Sequence, residues 1–195
     1  MTDTLFDPKT TALVSIDMQT SVAHHAAAPH SATEVVARIA SMIEPARAAG
    51  ALPVFVRTTF LPDESDNLGP NLDVKRPRYP HRIENWDQLV PEMDRRMNEP
   101  VVNKKSFNAF YGSDLDLQLR RRGIKTIVLA GISTNFGVEG TGRNAYDHGY
   151  DVIFVRDAMA AGTAEAHEAS LKYVFPYIGR VRSTEEIIAA FKAQA

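Results

Sequence analysis

The chain has 195 residues, 44% of them hydrophobic, a formal net charge of −2 and no cysteine. That is apolar material for one ordinary domain, residues 1–195, while the near-neutral charge argues against nucleic acid or an anionic membrane surface as a partner. The absent cysteines exclude disulfides, zinc–thiolate sites and thiol catalysis; no apolar run approaches the ~20 residues of a membrane span, and the opening MTDTLFDPKT lacks an export signal's basic start and apolar core, so the cytoplasm is the expected compartment.

The first element is TALVSID (11–17), an apolar run ending in an acid, which reads as a strand buried on both faces. ATEVVARIASMIEPARAAG (32–50) carries apolar residues at helical spacing and a terminal Gly50 as C-cap, with Pro45 expected to kink or break it late. LPVFVRTTF (52–60) is a second strand. Residues 61–98, rich in Pro, Asp, Asn and Arg, read as a long excursion with one short helix around Trp86–Met97, and a loop of that length is often functional. PVVNK (100–104) is a short third strand. SDLDLQLRRRG (113–123) is a helix capped by Ser113 and closed by Gly123. IKTIVLAG (124–131) is the most hydrophobic strand, followed by a helix over 136–149 despite its glycines. A strand at 150–159, a helix at 164–175 and a final short strand and helix complete the chain.

Strands alternating with helices imply right-handed crossovers and a parallel sheet covered on both faces. Ligands of such sheets sit beyond the carboxyl ends of the strands, near the point where strand order reverses. That rule selects Asp17 at the end of the first strand, Lys104 at the end of the third, and the Gly131–Gly137 turn after the fourth. Asp17 reads equally as a helix cap or loop salt bridge. Lys104 follows an apolar strand, so its stem can be buried with the ammonium facing Asp17, while Lys105 reads as solvated. Gly137, Gly140 and Gly142 spell G-x-x-G-x-G, which is neither the dinucleotide fingerprint nor a P-loop, so no cofactor is expected. Free N–H groups of the Gly131–Gly137 turn suit an oxyanion or carboxylate. His24 and His25 lack partners at metal-ligand spacing and read as a solvated or lid segment, so no metal is expected. Trp86 and Tyr111 read as packing, Phe110 as packing with a pocket-mouth alternative, and Arg143 as either an anchor or an anion ligand.

Three blocks in order, ALVSIDMQ, the run from VVNKKSFNAFYG through VLAGISTNFGVEGTGRNAYDHGY, and VIFVRDAMAA, resemble the isochorismatase-like hydrolases, also called cysteine hydrolases, from about residue 10 to residue 190. The resemblance implies a three-layer α/β/α Rossmann-like sandwich with a six-stranded, mostly parallel sheet. It also implies a site in which Asp17 and Lys104 match the family's acid and lysine, and a non-proline cis peptide before Ser133. The family's nucleophilic cysteine falls on Gly137. Gln19, Phe110, Ser133 and Thr134 are the substrate-binding positions it suggests. Most members hydrolyse amides through the thiol. True isochorismatases carry glycine there and cleave a vinyl ether, with the aspartic acid protonating the vinyl carbon and water adding to the oxocarbenium ion. That chemistry needs an acid rather than a thiolate. The expectation is a non-thiol hydrolase of a small polar or anionic metabolite, working as a homodimer or homotetramer. The rival is a catalytically silent fold-mate that binds a metabolite or serves in an assembly.

Overall fold

The structure, a computed structural model, describes residues 4–23, 27–67, 71–74 and 83–195. Six strands, β1 (Thr11–Ile16), β2 (Leu52–Thr58), β3 (Val101–Lys104), β4 (Thr126–Ile132), β5 (Asp151–Ala160) and β6 (Arg180–Arg182), form one sheet in the order β3-β2-β1-β4-β5-β6. Every pairing is parallel. The helices are α1 (Thr20–Ala23), α2 (Ala32–Ala48), α3 (Leu115–Arg120), α4 (Glu139–Asp147), α5 (Ala164–Tyr173), α6 (Phe175–Ile178) and α7 (Thr184–Lys192). None of the helices among the described residues is long and apolar enough to cross a membrane.

The period-two pattern of the strands divides the core. Leu13, Phe55, Val128 and Ile153 face one side and pack with Val35, Ile39 and Met42 of α2 and Ile187 and Phe191 of α7. Val14, Ile16, Val54, Ile127, Leu129 and Phe154 face the other, with Leu115, Leu119, Val138, Ala145 and Phe175. The result is the expected three-layer sandwich. The order reverses between β1, which leads outward to β2 and β3, and β4, which leads to β5 and β6. The crevice above β1 and β4 is therefore the topological switch point.

Three local expectations change. Pro45 does not break α2, which runs to Ala48. It stands in the last turn, where the missing N–H forfeits one hydrogen bond, and Gly50 (φ 84°) follows the helix. The third helix begins at Leu115 rather than Ser113, although the Ser113 hydroxyl still accepts from the Leu115 N–H at 3.1 Å. The helix expected over Trp86–Met97 reduces to a single 3-10 turn, Pro91–Met93. The backbone of that segment is committed elsewhere: Trp86, Gln88 and Met18 carbonyls accept from Ser21, Thr20 and Val90, and Leu89 bridges Gln19 in antiparallel fashion. A chain paired laterally with residues 18–21 cannot also make helical bonds.

The segment leading into β3 is fastened to α2 by a buried ion pair. Arg47 donates from Nε to Glu99 Oε1 at 2.7 Å and from Nη2 to Oε2 at 2.9 Å, with side chains 7% and 6% exposed. Burial is the largest single influence and pushes the Glu99 carboxyl up, but the Arg47 hydrogen bonds, the Arg96 N–H and the charges of both arginines together outweigh it and hold that carboxyl below the usual glutamate value.

Candidate active site

β1 ends at Ile16, and the next residue, Asp17, turns into the left-handed region (φ 57°), where its own N–H bonds the Val56 carbonyl at 2.9 Å. Asp is among the few side chains that tolerate this conformation. β3 delivers Lys104, 2% exposed, to the same rim. Lys104 Nζ lies 2.8 Å from Asp17 Oδ2. It also donates to Thr58 Oγ1 at 2.7 Å and to the Ser106 carbonyl at 3.0 Å. All three ammonium hydrogens thus have acceptors. Thr58, the last residue of β2, passes its own hydroxyl hydrogen to Asp17 Oδ1 at 3.1 Å.

Gln19 is buried behind this cluster. Its amide accepts from the Thr58 N–H at 2.7 Å and donates to the Thr58 carbonyl at 2.8 Å, fixing that residue from both sides. One amide hydrogen and one lone pair of its oxygen are committed to Thr58, which gives the buried Gln19 a clamping position.

Across the switch point, β4 reaches the rim through Gly131, paired with Ile16 and held at φ 133°. A Cβ there would stand 2.2 Å from the Ile16 carbonyl oxygen, so only glycine allows β4 this close an approach. The Ile132–Ser133 peptide is cis, as the resemblance implied. One π-helical turn, Thr134–Val138, then leads directly into α4. Gly137 lies in this turn. A Cβ at Gly137 would sit 3.5 Å from Asp17 Oδ2, 3.8 Å from the Phe107 carbonyl and 2.9 Å from Ile16 Cγ2. The Asp17 carboxylate therefore faces the space beside Gly137. Asp17, Lys104 and Gly137, chosen from three separate parts of the sequence, converge on one point.

The other expected residues divide. The Ser133 carbonyl accepts from the N–H groups of Phe136 and Val138, closing the turn. Thr134 is buried, and its hydroxyl lies 2.9 Å from Nδ1 of buried His167. Burial holds the His167 imidazole below its ordinary value, against the raising effect of Glu168. Phe110 packs as an aromatic cluster member: its ring stacks on His148 at 5.1 Å and lies tilted against Tyr150 at 5.9 Å. The aromatic residue beside Gly137 is instead Phe107, stacked on Phe136 at 4.9 Å. Arg143 pairs with Glu139 at 3.0 Å on its own helix, which is the anchoring alternative. Lys105 is half-exposed and paired with Asp66. Trp86 stacks on Phe60 and Tyr111 is exposed. His24 and His25 lie outside the described residues, among which no group of three or more His, Asp or Glu side chains is placed to hold a metal ion.

Sequence reasoning missed Thr58, Ile16, Phe107 and His167. The strand-end rule that selected Asp17 and Lys104 applies equally to Thr58, the end of β2, and could have found it. Nothing local marks the other three.

The fold and the site define the class: a doubly wound α/β protein with a buried carboxylate–ammonium pair at the switch point of a β3-β2-β1-β4-β5-β6 sheet, facing a glycine turn. Residues 11–186 match the model of the isochorismatase domain. The chain is 43% identical over 182 residues to YecD of Escherichia coli O157:H7, described as an uncharacterized isochorismatase family protein; the match covers 93% of this chain and 96% of that one. It is 33% identical over 211 residues to the ureidoacrylate amidohydrolase RutB of Methylorubrum extorquens, covering 96% of this chain and 84% of the relative. An isochorismatase family protein of Burkholderia thailandensis superimposes with a TM-score of 0.89 at 38% identity, covering 94% of this chain and 96% of the other. The chain belongs to the isochorismatase-like hydrolase family.

Proposed function

We propose that the protein is a hydrolase of a small polar or anionic metabolite that works without a cysteine nucleophile. Asp17 is the acid/base, Lys104 its electrostatic partner, and the Ser133–Gly137 backbone the cradle for developing negative charge. The observation that carries this reading is the space at Gly137. Asp17 Oδ2 stands 3.5 Å from the point a Cβ would occupy, and the chain holds no thiol to put there. Substrate atoms in that space meet a carboxyl group directly.

A vinyl ether suits such a site. Asp17 in its protonated form transfers the proton to the vinyl carbon: the O–H bond breaks, a C–H bond forms, and the ether oxygen shares the resulting positive charge. Water adds to the cation and returns a proton to Asp17. The hemiketal then collapses to a carbonyl compound and an alcohol. Lys104 stabilises the carboxylate left behind. The relative named as a ureidoacrylate amidohydrolase makes carbamoyl compounds the second class to assay.

The test is turnover of vinyl ethers, primary amides and carbamoyl compounds by the wild type and by Asp17→Asn. Hydrolysis by the wild type that Asp17→Asn abolishes supports the reading. Hydrolysis unaffected by Asp17→Asn sinks the acid/base role, and no turnover of any class, with a metabolite still bound, favours the silent fold-mate.

A further inference from the structure

We infer that a cavity beside the ends of β2 and β3, on the face of the sheet opposite Thr58 and Lys104, is a second binding site, and that it takes a small organic monocarboxylate. The inference does not depend on the role of Asp17.

Strand alternation creates the place. Val56, Thr58, Val102 and Lys104 face one side of the sheet. Arg57, Val101 and Asn103 face the other, with Arg57 and Asn103 opposite each other in the β2–β3 ladder. Together with Gln88, Leu89 and Arg95, from the segment before β3, they line a cavity of about 390 Å³. That is room for a small molecule.

The lining is rich in donors. Arg57 donates from Nε to Asn103 Oδ1 at 2.7 Å and from Nη1 to the Asp87 carbonyl at 3.3 Å. Arg95 donates from Nε and Nη2 to the Glu99 carbonyl, at 3.1 and 2.9 Å, and from Nη2 to the Met97 carbonyl at 3.1 Å. Each guanidinium is thus fixed along one edge and open along another: among the described residues nothing accepts from Arg57 Nη2 or Arg95 Nη1. Asn103 adds a third such group. Its oxygen has to face the Arg57 donor, which turns its NH2 the other way, again with no acceptor among the described residues.

No carboxylate stands among the described residues of the lining. Asp87 lies behind Arg57, 3.9 Å from Nη1, with its oxygens bound to Thr59 Oγ1 and Gln88 Nε2. Glu99 and Asp94, near Arg95, are held by Arg47. Pre-oriented guanidinium and amide donors around a space with no acid in its walls suit an oxygen anion. Its kind follows from the remaining groups. Asp87 offsets the charge of Arg57, so one further negative charge balances Arg95 and a phosphate dianion exceeds it. Leu89 and Val101, which pack against the core, supply an apolar wall that suits a short hydrocarbon body.

The test is a titration of the isotope-labelled full chain with sodium butyrate at about pH 7, followed in proton–nitrogen NMR spectra. The backbone amides of Leu89, Val101 and Asn103 and the Nε–H groups of Arg57 and Arg95 should shift along one saturating curve, while the amides of 133–137 stay in place. Asn103→Asp is close to isosteric: one oxygen still accepts from Arg57, but an anionic oxygen replaces the NH2. It should keep the wild-type melt and weaken butyrate binding about tenfold or more, as should Arg95→Gln. Shifts that never saturate, shifts confined to 133–137, or an Asn103→Asp protein that binds as the wild type does overturn the inference. Inorganic phosphate that binds more tightly than butyrate overturns it as well, by assigning the cavity to a dianion.

Discussion

Gly137→Cys puts a side chain into the space on which the functional reading depends. The new Cβ would stand 2.9 Å from Ile16 Cγ2, about 0.5 Å inside the 3.4 Å at which ordinary contact begins. Ile16 is fully buried among Val14, Val56 and Leu129, so it cannot swing freely aside. The other neighbours, Asp17 Oδ2 at 3.5 Å and the Phe107 carbonyl at 3.8 Å, are at normal distance and add no strain. Overpacking by one group costs ~1–3 kcal/mol, and replacing glycine in a helical turn returns a few tenths. The net destabilisation is about 1–2 kcal/mol, which for a chain of this size lowers Tm by roughly 2–8 °C. The introduced thiol would be the sole thiol in the chain, so a disulfide reagent titrates it without background. Lying at a helix start and facing the Asp17 carboxylate that Lys104 neutralises, it should give up its proton and react at about pH 6 roughly tenfold faster than free cysteine. Thermal melts and reagent kinetics check both halves. An unchanged Tm refutes the packing argument. A thiol that reacts only on unfolding, or no faster than free cysteine, refutes the placement of Gly137 in a space that faces the Asp17–Lys104 pair and admits a reagent.

Arg47→Ala leaves the Glu99 carboxylate buried without its partner and should cost ~3–5 kcal/mol in urea unfolding, far more than loss of a surface pair such as Arg120–Asp116. His167, with His30 edge-on at 6.2 Å and Thr134 and Glu168 as its other neighbours, is held by burial below its ordinary value of about 6.5. Above that value the imidazole is neutral folded and unfolded; as pH falls through it the unfolded chain takes up the proton first. The urea midpoint should therefore drop between pH 7.5 and pH 5, and His167→Gln should flatten that window. Gly131→Ala, with its Cβ 2.2 Å from a backbone oxygen of β1 at φ 133°, should prevent the β1–β4 ladder from closing and yield protein without a cooperative melt by circular dichroism. Sedimentation should show a homodimer or homotetramer, consistent with exposed Tyr173 and Tyr177, rather than a 21.5 kDa monomer.

The central strands β1, β2, β4 and β5 were legible because each carries an apolar run, and a buried parallel strand writes itself into sequence that way. Asp17, Lys104 and Gly137 were legible for a topological reason: a parallel sheet gathers its strand ends onto one rim, so residues far apart in sequence fall together without any knowledge of contacts. The errors came where neighbouring chain decided the outcome. Trp86–Met97 forms no helix because residues 18–21 capture its backbone, which no periodicity in that segment could reveal. The resemblance puts Gln19 at the substrate, yet in the fold its amide clamps Thr58, 39 residues away. Phe110 and Phe107 lie on one loop, and only its fold, with the Ala109 N–H bound to Thr141 Oγ1 at 3.0 Å, decides which residue comes beside Gly137.

Lys104 holds three segments at once: the turn after β1 through Asp17, the end of β2 through Thr58, and the loop after β3 through the Ser106 carbonyl. The ammonium is thus a rivet for half the rim as well as a charge beside a reactive group. A lineage that gave up the chemistry would still be selected to keep Asp17, Thr58 and Lys104, because losing any one leaves buried polar groups unmatched. In a set of related sequences the trio would persist among active and inactive members alike, and divergence of activity would be written at position 137 and along the lip beside it, where no fastening depends on the residue.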